Sequence, residues 1–136
     1  MLSIGLGYIV ALATFVVTDM IWLGTMVPRF YRPVIGDIAL ANVNLPPAII
    51  FYAIYPIGLL IFAVYPALKT GSVSTASVYG ALFGFFTYAT YDLTNLATLK
   101  NWTLSLTLVD VVWGTFLAAV SATLSFWAVN KVFGAH

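Results

Sequence analysis

Three aspartates, Asp19, Asp92 and Asp110, lie inside long apolar stretches of the chain. A carboxylate near a bilayer centre costs roughly 2.5–3.5 kcal/mol on insertion scales, so each needs a compensating role. Their neighbours are polar aromatics at helical spacing. Asp19 shares a face with Trp22 at i, i+3, and Asp110 shares one with Trp113. Around Asp92, Tyr88 stands one turn below and Asn95 one turn above, while Tyr91 pairs with Asn95 at i, i+4. Carboxylates brought close together do not all ionise freely, so a proton or a cation must come between them. Arg29, Arg32 and Lys100 are the available counter-charges. The chemistry that fits is a polar pocket binding a cation, a proton or a polar headgroup. The competing account is a buried hydrogen-bond network that fixes helix order, with the acids capped by Tyr, Trp, Asn and Thr donors.

The elements that must position these residues are membrane helices. Of 136 residues, 62% are hydrophobic and 7% charged, against roughly 25% charged in soluble domains. A small soluble fold cannot hide that much apolar surface. The apolar runs are continuous and too long for barrel strands, which alternate every second residue. The sequence therefore predicts an all-α membrane protein, a single domain over residues 1–136. Its four transmembrane helices cover about 3–27, 47–68, 73–99 and 103–129, joined between the first two by a polar interfacial segment over about 28–46. Pro28 is expected to end the first span, with a short surface helix between Pro33 and Ala41. Asn44 followed by Pro46 and Pro47 reads as a capped helix start, and Pro56 as a kink in the second span. The first apolar run ends in a leader-like Ala11-Leu12-Ala13, but no basic residue precedes it and the run continues. A transmembrane helix is expected there, not a cleaved leader.

This topology fixes the depth of the acids. Asp19 lies about eight residues before the end of span one and Asp92 about seven before the end of span three. Asp110 lies about seven after the start of span four, so all three sit on the order of 10–12 Å below one surface at 1.5 Å per residue. That surface carries the 28–46 segment. Lys69 and Lys131 on one side against Arg29, Arg32 and Lys100 on the other give no strong orienting bias.

Small residues mark helix contacts. Gly80 and Gly84 form a GxxxG pair, and Gly114, Ala118 and Ala122 repeat the spacing. The stretch from Asp19 to Thr25 (DMIWLGT) echoes the one from Asp110 to Thr115 (DVVWGT), which in antiparallel spans reads as coincidence between apolar helices.

A net charge of +1 gives no field for nucleic acid. Cysteine and glutamate are absent and the only histidine is the terminal His136, so no zinc site or Ser/His/Asp arrangement assembles. No metal or cofactor is expected. An aspartate pair can do acid–base work, but no substrate is indicated, and the balance leans away from an enzyme.

The run Tyr88-Ala89-Thr90-Tyr91-Asp92-Leu93-Thr94-Asn95-Leu96-Ala97-Thr98-Leu99, then Trp102, then Leu106 to Thr115, resembles the signature of a membrane family catalogued as domain of unknown function 2177. Asp19 to Gly24 and Phe30-Tyr31-Arg32 resemble its other recurrent segments. The resemblance implies a small four-helix bacterial inner-membrane protein with a lipid-related role and no assigned activity. Its recurrent polar positions fall on Asp19, Trp22, Tyr91, Asp92, Asn95, Asp110 and Trp113. Two functional classes stay open. One is a pocket protein that binds or moves a small polar ligand, lipid headgroup or cation, with membrane lipid as partner and a homo-oligomer if it transports. The other is an accessory subunit packed in a larger membrane assembly, which the small-residue faces would serve.

Overall fold

In lipid every backbone N–H and C=O must find a partner within the protein, which selects helices for apolar runs of this length. A computed structural model describes residues 2–40, 42 and 44–134. Its described residues form four long helices: α1 Leu2–Ile35, α2 Leu45–Thr70, α3 Val73–Thr98 and α4 Leu104–Phe133. Three of them, α1, α2 and α4, are long and apolar enough to cross a membrane. α3 matches them in length at 26 residues, but serines, threonines and glycines dilute its apolar character. It packs along α4 from Ser77, hydrogen-bonded to Thr123, up to Asp92 beside Asp110, and so runs through the same layer. The expected four-helix membrane bundle is what forms.

α4 is the central helix, with α3 along one side and α1 along the other; α2 closes the bundle against α1 and one half of α3. The α3–α4 seam is the tightest. A Cβ on Gly80 would lie 2.8 Å from the Ala122 methyl, and one on Gly84 would meet the Gly114 carbonyl and Ala118. The glycine and alanine stripes are therefore consumed inside the chain. Across α1 and α4, the Ser125 hydroxyl donates to the Gly7 carbonyl at 2.7 Å. The core at this end holds Phe15, Leu59, Leu117 and Phe126 among small alanines. Large apolar side chains such as Ile21, Ile49, Phe86 and Val112 point outward, as a lipid-facing surface requires.

Helix ends follow their local chemistry. Gly71, at φ 66°, ends α2 in the left-handed region that favours glycine. Ser72 and Thr103 cap α3 and α4, accepting from the Thr75 and Leu106 amides. Asn44 occupies the expected cap position of α2 in an extended conformation, but its side chain makes no capping bond.

The first helix differs from expectation. Pro28 does not end it: α1 runs on to Ile35, through a wider π-helical turn over Val27–Tyr31. The cause lies in Pro33, which has no N–H and whose ring crowds the carbonyl four residues back. The residue before it, Arg32, donates instead to the Val27 carbonyl five residues back. α2 repeats the device. A second π-helical turn over Leu60–Val64 precedes Pro66, and Tyr65 donates to the Leu60 carbonyl. The separate short helix expected from Pro33 is thus the end of α1, followed by turns in which Ile38 and Ala39 bond back to Ile35. Its expected end at Ala41, like His136, lies outside the described residues.

Candidate functional site: an aromatic cavity with buried carboxylates

The π-helical turn has a direct consequence for the acids. It carries α1 another turn toward the surface and swings Tyr31 into the bundle, where it is buried against Trp102 and Leu106. The Tyr31 hydroxyl donates to Asp110 Oδ1 at 2.7 Å and accepts from Trp22 Nε1 at 3.0 Å. Asp19, also buried, accepts from Tyr52 at 2.6 Å on Oδ2 and from Trp113 Nε1 at 3.1 Å on Oδ1. The Trp22 and Trp113 rings stack between the two acids, 4.1 Å apart and 6° from parallel. The two D-x-x-W stretches are therefore cross-braced. Trp113 on α4 reaches the acid of α1 directly, and Trp22 on α1 reaches the acid of α4 through Tyr31. The two stretches that echo each other in sequence thus meet in the fold through their stacked tryptophans.

These residues line a cavity of about 500 Å3 in the half of the bundle nearest the turns that follow Ile35. α1 contributes Asp19, Trp22, Leu23, Val27, Tyr31, Arg32 and Ile35, and the first turns of α2 contribute Phe51, Tyr52 and Tyr55. Thr87, Tyr88 and Tyr91 come from α3, Asp110 and Trp113 from α4, and Trp102 from the turn between them. The Tyr55 hydroxyl, 2.9 Å from that of Thr87, ties α2 to α3 at the floor, beside Phe83 packed against Gly58. Beyond Tyr55 the helices diverge: α2 approaches α3 closely along Leu60–Thr70 and hardly at all along Leu45–Leu59. Phe51 on α2 and Tyr91 on α3, 42% and 57% exposed, both line the cavity, which is open where these two helices part. Gly114 shapes the opposite wall. The Tyr88 ring lies directly on it, where any Cβ would collide.

Asp92 is placed differently. It is fully buried between α3 and α4, behind the wall, and neither of its oxygens has a hydrogen-bond donor. Its carboxyl neighbours that of Asp110.

Of the residues singled out by sequence, Asp19, Trp22, Tyr88, Tyr91, Asp110 and Trp113 share the cavity wall; Asp92 and Asn95 do not reach it. Of the counter-charges, Arg32 is on the wall, and Arg29 and Lys100 are not. Among the described hydrogen bonds, the partners of Asp19 are the Tyr52 phenol and the Trp113 indole, and that of Asp110 is the Tyr31 phenol, all neutral. Sequence reasoning missed Phe51, Tyr52, Tyr55, Tyr31 and Trp102. Tyr52 had a usable signal: it lies seven residues into α2, about 10 Å deep at 1.5 Å per residue, level with the acids.

Residues 4–127 match the family described as predicted membrane protein, domain of unknown function 2177. No curated protein and no solved structure matches the chain.

Proposed function

The chain belongs to that family of predicted membrane proteins, and from this premise we propose that it is a binding protein of the membrane, with the Asp19–Asp110 cavity as its ligand site. The observation that carries the reading is a cavity of about 500 Å3 that holds two carboxylates on neutral donors and opens between α2 and α3. Its volume falls in the range of small-molecule sites, roughly 300–1,000 Å3. Intramembrane acids facing a cavity are the usual mark of a ligand, ion or proton path. The ligand is polar at one end and enters from lipid, as a lipid headgroup or an amphiphilic cation would. The setting implied by the family resemblance is a bacterial inner membrane.

The accessory-subunit reading loses its main support, because the small-residue stripes pack α3 on α4 within one chain. The test is native mass spectrometry after gentle extraction. A discrete bound mass on the chain or a small homo-oligomer, weakened by Asp110→Asn in a folded protein, is the expected result. A persistent hetero-complex with an empty cavity would overturn the proposal in favour of a subunit role.

A further inference from the structure

The cavity's wall chemistry narrows the ligand, granting that the cavity is a binding site. We infer that it recognises an organic ammonium group carried on an apolar chain. Three observations converge on this class. First, Asp19 and Asp110 are bonded only to Tyr and Trp donors among the described hydrogen bonds, so no basic side chain occupies the place of a cationic ligand. Second, Asp92 stands fully buried in the α3–α4 seam beside Asp110 with no donor to either oxygen, so it adds a further acid to this layer and no counter-charge. Third, the walls beside the acids are ring faces and edges, Trp22, Trp113, Tyr88 and Tyr91, which attract cations through the ring quadrupole. A dehydrated metal ion needs several oxygen ligands converging on one point, and no group of three or more acidic or imidazole side chains among the described residues offers that. An ammonium group needs only negative charge and aromatic surface. The lateral opening between Phe51 and Tyr91 leaves room for its chain to remain in lipid.

Two sources carry this chemistry: a soluble lipophilic amine and the headgroup of a zwitterionic phospholipid. Arg32 separates them. It is exposed, lies on the wall toward the surface segment, and is the only basic residue lining the cavity among the described residues. A headgroup phosphate would use it; a simple amine would not.

The test uses the full-length protein in maltoside micelles, where Trp22, Trp102 and Trp113 report on the cavity by fluorescence. Decyltrimethylammonium should bind saturably and about tenfold more tightly than decanol. Asp19→Asn should remove that preference while leaving decanol affinity unchanged. If that variant misfolds, Tyr91→Ala at the exposed lip serves instead, with a few-fold loss for the cation alone. Equal affinity for decanol and the ammonium would overturn the inference and leave the binding proposal standing. Binding of neither probe would overturn both. Native mass spectrometry with added phosphatidylethanolamine or phosphatidylglycerol then identifies the source. Selective retention of the amine lipid, lost in Arg32→Gln while decyltrimethylammonium still binds, assigns the headgroup. Retention indifferent to headgroup and to Arg32 overturns the phospholipid source and assigns the free amine.

Discussion

Tyr31 offers the sharpest test of the network, because one hydroxyl joins two helices. Tyr31→Phe removes the bond to Asp110 and the acceptor for Trp22 Nε1 together, and among the described bonds Asp110 has no other donor. Tyr52→Phe removes a single bond to Asp19, which keeps Trp113. Interhelical hydrogen bonds in membrane proteins average about 0.6 kcal/mol and reach about 1.7. Two bonds through one hydroxyl therefore give about 1–3 kcal/mol for Tyr31→Phe, and one gives about 0.5–1.5 kcal/mol for Tyr52→Phe. Combining each variant with Asp110→Asn separates specific contact from general loosening. Tyr31 should couple to Asp110 by about 1 kcal/mol, and Tyr52, which bonds a different acid, should be additive within about 0.5 kcal/mol. The assay is reversible unfolding in mixed micelles with rising dodecyl sulfate, followed by circular dichroism. A larger loss for Tyr52→Phe, or no coupling between Tyr31 and Asp110, would refute the cross-braced arrangement.

Gly114→Ala places a methyl in the Tyr88 ring and should cost about 1–3 kcal/mol by overpacking; Gly5→Ala, with no atom within 4 Å, should be neutral or gain up to about 1 kcal/mol in the same titration. Asp92→Asn supplies an amide donor to Asp110 where a carboxyl now has none, so thermal stability in detergent should hold or rise by about 1 kcal/mol. A clear loss would refute that account of Asp92. Pro33→Ala restores the missing N–H and lets the Val27–Tyr31 turn tighten toward an ordinary helix. Tyr31 then rotates away from Asp110, and the near-ultraviolet circular dichroism of the stacked tryptophans should weaken; an unchanged spectrum would mean that Pro33 does not set the turn.

The bundle was legible because membrane helices declare themselves by apolar length, and the depth of Asp19 and Asp110 follows from counting residues along antiparallel spans. The small-residue spacing at Gly80, Gly84, Ala118 and Ala122 pointed to close helix contact, but not to which helices meet. The exit from α1 was not legible. Treating Pro28 as a terminator is sound for its own missing N–H, yet the deciding interaction is between Pro33 and the backbone of the preceding turn, which widens to absorb it. Tyr31 was lost with that error, since a residue assigned to the surface cannot be expected to bond an acid in the bundle. Asp92 illustrates a different limit. Its depth equals that of the other two acids, but a one-residue step on a helix turns a side chain by about 100°, and that angle decides between cavity wall and α3–α4 seam.

The choice of donors bears most directly on what the acids are for. A network serving only to hold helices in register gains most from partners that neutralise the carboxylates, and Arg29, Arg32 and Lys100 stand on the same side of the membrane. The fold instead gives Asp19 and Asp110 neutral phenol and indole N–H and O–H groups, and keeps Arg32 on the outer wall of the cavity. Neutral donors orient a carboxylate without cancelling its charge. Meanwhile α3 and α4, and α1 and α4, are drawn together in the opposite half by alanine, glycine and serine contacts that involve no acid. Acids held by neutral donors where the helices diverge are the arrangement that the proposed cation site requires.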